Sequence, residues 1–172
     1  MSPSTEDGFY AYSPFIHPKQ FPHRRLYQVE GFDGVESVTP EYVQNVSWPN
    51  PTDRSNSRNI IAISFNPSDR GFERMLTPAQ IEAIKIPDQV IFDRLGRDEY
   101  WPVRSLLDAG KEVHAEINDR ELGIVGIYHV GTSFGLDGGV VTSDLNFLRL
   151  LPTRNKSVID FGFIKLAPGQ DA

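Results

Sequence analysis

Gly131-Thr-Ser-Phe-Gly-Leu-Asp-Gly-Gly139 runs directly into Val140-Val-Thr-Ser-Asp-Leu-Asn-Phe-Leu-Arg149, and the chain closes on Ile159-Asp-Phe-Gly-Phe-Ile-Lys-Leu-Ala-Pro-Gly169. The first of these stretches contains G-x-S-x-G, the pattern of a nucleophile elbow, in which a serine stands on a sharp turn between a strand and a helix. A strand-like run does precede Ser133, but Gly135-Leu-Asp-Gly-Gly139 follows it, and such a composition breaks a helix instead of starting one. A Ser–Asp–His chain order also lacks its last member, because no His lies after His129. The stretch reads as a glycine-rich turn, followed by a short helix over Ser143–Leu150 with Ser143 as its cap. A serine hydrolase using Ser133 is the alternative reading.

Moving outward, the pattern alternates strands with short helices. Phe9–Ser13 reads as a strand stopped by Pro14, and His23–Val29 as a helix with Pro22 in its first turn and Gly31 at its end. Val38–Trp48 is strand-like, with alternation from Tyr42 onward, and Asn50–Asn59 is a polar, turn-rich loop. Ile60-Ile-Ala-Ile-Ser-Phe65 is almost continuously apolar, the signature of a strand buried on both faces. Thr77-Pro-Ala-Gln80 has the residues of a capping box and starts a helix that ends by Pro87. Gln89–Phe92 is a strand, Val103–Leu107 a helix closed by Gly110, and Lys111–Asn118 with Arg120–Val130 a hairpin turning at Asn118-Asp119. Val158–Leu166 is the last strand. The order indicates an α+β fold rather than a doubly wound parallel sheet.

Composition narrows the function classes. The chain has 172 residues and a formal net charge of −6, and its Lys and Arg form no basic stripe, which argues against nucleic acid as a partner. Eleven Phe, 6 Tyr and 2 Trp supply the apolar area an ordered domain requires. Without cysteine there is no disulfide, no thiolate metal site and no thiol nucleophile. The longest apolar runs fall well short of the ~20 residues of a membrane-spanning helix. Met1–Asp7 lacks the basic and apolar regions of a signal peptide.

A series of motifs carries a family resemblance. In order they are Phe21-Pro-His-Arg-Arg-Leu-Tyr-Gln28, Gly34-Val-Glu-Ser-Val38, Ile63-Ser-Phe-Asn-Pro67, Val90-Ile-Phe-Asp-Arg94 and Gly110-Lys-Glu-Val113. Val125-Gly-Ile-Tyr-His-Val-Gly-Thr-Ser-Phe-Gly135, Thr142-Ser-Asp-Leu-Asn-Phe-Leu-Arg149 and the Phe161–Gly169 ending follow. Over residues 8 to 172 the series resembles the periplasmic domain of the DevC-type ABC exporter permease of cyanobacteria, within the MacB/FtsX/LolE-like superfamily.

The resemblance implies a MacB-like periplasmic domain with a porter-like βαβ lobe, incomplete at the C-terminus, and a small β-rich lobe. The expected division is 8–66 plus 156–172 for the first and 67–155 for the second. It implies an extracytoplasmic, periplasmic domain of an inner-membrane protein, without an enzymatic site or cofactor of its own. That domain would couple cytoplasmic ATP hydrolysis, by a separate ATPase subunit, to export of a lipid or glycolipid-like cargo. The partners implied are a HlyD-like membrane fusion protein docked directly, the ATPase through the transmembrane part, a TolC-like channel indirectly, and a second permease copy. Docking is expected around residues 69–87 and 131–142. The family pattern continues beyond Pro168-Gly-Gln-Asp-Ala172, so an excised domain or a truncated reading frame is expected, with an unpaired sheet edge. A free-standing soluble binding protein from a truncated permease gene remains an alternative.

Other residue groups have two readings. His114 and Glu116 alternate on one strand face and His129 lies on the neighbouring strand, so the three could clasp zinc or simply be solvated residues of an exposed face. Glu30, Asp33, Glu36 and Glu41 form an acidic patch near the first helix, where paired carboxylates could act as acid and base or be a non-catalytic surface. His17 and His23 lie beside prolines, at the surface. Asn45-Val-Ser47 and Asn155-Lys-Ser157 match the glycosylation sequon by chance. Tyr10, Tyr12, Phe15 and Phe21, clustered with Pro14, Pro18, Pro22 and, upstream, Pro3, and Trp48-Pro-Asn-Pro51, which leads into the long loop, are either docking anchors or core.

Overall fold

The computed structural model describes residues 19–68, 76–93, 102–128 and 138–170. In chain order the elements are β1 (Phe21–Pro22), α1 (Arg24–Glu30), β2 (Val35–Glu41), β3 (Val43–Pro49), β4 (Ser57–Phe65), α2 (Pro78–Ala83) and β5 (Gln89–Asp93). They continue with α3 (Val103–Asp108), β6 (His114–Ile117), β7 (Arg120–Tyr128), β8 (Gly139–Ser143), α4 (Asp144–Leu150), β9 (Val158–Ile159) and β10 (Phe161–Leu166). Contacts group them into two units, one running to Val43 and resuming at Asn155, the other Gln44–Arg154. β4, which the sequence suggested for the lobe 8–66, falls in the second unit.

In the first unit, β1 pairs antiparallel with β9 and β2 antiparallel with β10, with Phe161 opposite Glu41 and Ile164 opposite Val38. α1 connects β1 to β2 along the chain. Leu26 is the buried residue of α1. Its packing depends on Gly162: a Cβ there would lie 2.3 Å from Leu26 Cδ2. The sequence suggests one strand over Val38–Trp48, but pairing starts at Val35 and breaks at Tyr42. The physical reason is a change of partner, from β10 for β2 to β4 for β3. The expected strand Val158–Leu166 likewise breaks at Asp160, whose side chain accepts from Val43 N.

The second unit is a six-stranded sheet in the order β3-β4-β8-β5-β7-β6. β4 and β8 are parallel, as are β5 and β7, whereas β5 and β8, and β6 and β7, are antiparallel. A mixed sheet with few short helices is the α+β class expected. One face buries Phe65, Ile91, Val141 and Tyr128 against Ile81 and Ile84. The alternate positions Ile60, Ala62, Val90, Phe92 and Val140 are buried too. Burial of both faces is what the apolar run at 60–65 required.

Local signals explain most boundaries. Gln80 N donates to Thr77 Oγ1 and Thr77 N to Gln80 Oε1, completing the capping box of α2. Asn118 and Asp119 take φ of 52° and 61°, the two left-handed positions of a type I′ hairpin turn. β8 was not foreseen; its five residues, all buried, lie between β4 and β5. Gly139 makes that placement possible, since a Cβ would come within 2.7 Å of Ile61 Cγ2. Among the described residues no helix is long and apolar enough to cross a membrane.

Candidate functional site

The six-stranded sheet curls until its outer strands, β3 and β6, meet. At their junction Asn118 N donates to Ser47 O at 2.7 Å. Further along, β3 runs into Pro49-Asn50-Pro51, and proline has no N–H to offer a ladder. The strands part there, leaving a cavity of about 170 Å³ between Trp48–Pro51 and His114–Glu116. The Trp48 ring turns inward instead, edge-on to Phe92 with centroids 5.3 Å apart. Arg54, on the turn between β3 and β4, reaches over the gap to form an ion pair with Glu116.

The β6–β7 register makes that pair useful. Glu116 lies directly opposite Glu121, which sets two like charges on neighbouring strands. Arg54 offsets one carboxylate, and His114 Nδ1 stands 3.5 Å from the other, at Glu121 Oε1. His114 and Glu116 thus share a face as the sequence indicated, but each is engaged by a neighbour. His129 lies outside the described residues, among which no three His, Asp or Glu are placed to hold a metal.

A second polar cluster centres on the buried Asn146. Asn146, in the first turn of α4, donates from Nδ2 to Ile84 O at 2.9 Å and Ile86 O at 2.8 Å, and accepts from Asp88 N at 3.2 Å. Its own N–H is capped by Ser143 Oγ, and Thr142 Oγ1 donates to Gln89 O at 2.6 Å. The Thr142–Asn146 motif therefore pins the turn between α2 and β5. Asp88 completes the pin with φ of 62°, and its carboxylate accepts two bonds from Arg120 at 2.7 and 2.9 Å. Those bonds hold the Asp88 carboxyl below the usual carboxylate range and raise the Arg120 guanidinium. Burial pushes the Tyr128 phenol up, with Asp93 adding to the effect. Asn146, Thr142, Ser143, Asp88 and Arg120 all bond to partners within the fold, so the cluster orders the backbone. Sequence reasoning noticed Ser143 as a cap and missed Asn146, although an amide between Leu145 and Phe147 was the available signal.

The remaining candidates fall as follows. Ser133 lies outside the described residues, as do 69–75 and 131–137 of the expected docking segments; 76–87 carry α2 and 138–142 carry β8. His17, Tyr10, Tyr12 and Phe15 are also outside them. Glu41 is buried, which corrects its place in the acidic patch; Glu30, Asp33 and Glu36 are exposed, and Glu36 pairs with Lys165. His23 stacks on the exposed Tyr27. Trp48 is core. Asn155 Oδ1 accepts from Ser157 N at 2.9 Å, a local turn.

No protein-family model matches the chain, and no curated protein sequence does. Its fold is similar to that of solved structures. One is the periplasmic region of MacB from Actinobacillus actinomycetemcomitans, with a TM-score of 0.54 and 11% identity over 91% of this chain and 69% of that one. Another is the extracellular domain of the noncanonic ABC-type transporter YknZ from Gram-positive bacteria, with a TM-score of 0.53 and 12% identity over 89% of this chain and 76% of that one. At these identities the likeness is one of fold, and the fold is the MacB-like one.

Proposed function

We propose that the chain is the extracytoplasmic domain of an ABC exporter permease of the MacB/FtsX/LolE-like superfamily and its DevC-type branch. The observation that carries this reading is the shared fold with the periplasmic region of MacB over 91% of the chain. The eight ordered motifs of the sequence support the finer assignment. In this role the domain sits on the periplasmic side of the inner membrane as part of a permease homodimer. It passes movement driven by the separate ATPase subunit outward, toward a HlyD-like membrane fusion protein and, through it, a TolC-like channel. The cargo is of lipid or glycolipid type. The β-α-β unit is the porter-like lobe and the six-stranded unit the β-rich lobe that docks the fusion protein, through 69–87 and 131–142.

The docking assignment is tested with photo-crosslinking residues placed at Glu82 and Lys85, both well exposed on the α2 segment, in the full-length permease within its native cell. A covalent adduct with the fusion protein is the expected result. Adducts to other proteins only, or none, from a correctly assembled complex would remove the docking claim.

A further inference from the structure

The seam between β3 and β6 is built differently from the other strand pairs of its sheet. β4 and β8, by contrast, are joined by a continuous ladder from Ile61 to Phe65 with Gly139 to Ser143. At the seam, Asn118 N to Ser47 O is the one backbone bond among the described residues. Strand periodicity puts the N–H groups of His114 and Glu116 on the same edge as that of Asn118, while Val113 O on the opposite edge accepts from Ile124 N at 2.8 Å. β3 ends at Pro49 and the chain continues through Pro51, neither of which has an N–H to donate across the seam, and the cavity lies where the ladder would have continued. Across that gap the closure is ionic, between Arg54 and Glu116, whose side chains are 69% and 37% exposed.

We propose that this seam is a salt-sensitive gate, which opens locally by parting β6 from β3 while the four inner strands stay paired. Arg54 is the latch. Its attraction to Glu116 acts through solvent and is screened as ionic strength rises. Local opening of this kind draws on the least paired part of a sheet. The gate concerns the sheet itself and does not depend on the exporter reading.

Amide hydrogen exchange on the intact chain tests it, at low and at 1 M salt. In Arg54→Gln and in Glu116→Gln, and in the unaltered protein at high salt, the amide of Asn118, which donates to Ser47 O, should exchange about two- to fivefold faster, the range an exposed ion pair supports. Amides of β4, β5 and β8 should keep their rates, and salt should add nothing further to either variant. The exchanged pair Arg54→Glu with Glu116→Arg should restore slow exchange. An unchanged Asn118 amide in both variants, or equal acceleration across β4, β5 and β8, would overturn the gate.

Discussion

Asp160 Oδ2 accepts a hydrogen bond from Val43 N at 2.7 Å, at the point where the backbone leaves β2 and begins β3. Asp160 N in turn donates to Glu41 O at 3.1 Å. One residue therefore satisfies the backbone on both sides of Tyr42, where neither ladder reaches. A buried N–H left without an acceptor costs about 1–3 kcal/mol. Asp160→Ala should lower the stability of the chain by that amount, read as a fall in the urea midpoint, and Asp160→Asn, which keeps an acceptor oxygen, by less. Equal losses would mean that the carboxylate charge matters more than the Val43 bond.

Asn146 is the second such residue. Asn146→Ala removes the donor shared by Ile84 O and Ile86 O and should cost about 1–3 kcal/mol. Asn146→Asp should cost more, because it turns a donor into a charge facing carbonyl oxygens. Chemical denaturation of the two variants side by side checks the order.

Two glycines predict opposite outcomes. At Gly139 a Cβ would lie 2.7 Å from Ile61 Cγ2 and 3.1 Å from Ile61 O, a backbone atom that cannot swing away. Gly139→Ala should destabilise by about 1–3 kcal/mol. At Gly31, with φ of −78° and its nearest contact at 3.6 Å, a methyl group fits. Gly31→Ala should be neutral or stabilise by about 0.4–1 kcal/mol, since alanine restricts the unfolded chain. Thermal melts of the two variants distinguish these outcomes.

The Asp88–Arg120 pair sets a pH dependence. Its bonds lower the folded-state pKa of Asp88 below the ordinary 3.8, so its contribution is fully present above that value. It is lost as pH falls through the lower folded-state pKa. Both side chains are more than a third exposed, at 35% and 40%, and the effect should stay within about 1 kcal/mol. Asp88→Asn tolerates the left-handed backbone. The stability gap between it and the unaltered chain should be constant above pH 5 and shrink below pH 4. A gap that widened on acidification would reverse the assignment.

Elements with local causes were legible in the sequence. The Thr77–Gln80 box, the Asn118-Asp119 turn and the apolar run at 60–65 each announce their structure through neighbouring residues. β8 was not legible, because Gly139 reads as part of a turn until Ile61, far away in the chain, is seen to pack against it. The breaks at Tyr42 and Asp160 were hidden for the same reason: each depends on the pairing of β2 with β10 and on the Val43–Asp160 bond, between residues more than a hundred positions apart. His114 and Glu116 were correctly placed on one face. Their engagement by Glu121 and Arg54 depends on strand register and on a loop crossing, and neither is encoded in the spacing of the two residues. The proline pair at 49 and 51 was noticed as a loop entrance, and its consequence for the seam emerges only once β6 lies opposite.

The exporter reading is tested most directly by reading the coding sequence on both sides of this segment. The account predicts apolar stretches of ~20 residues on each flank, with an ATPase gene adjacent. A stop codon directly after Ala172 and no membrane-spanning stretch ahead of Met1 would contradict it.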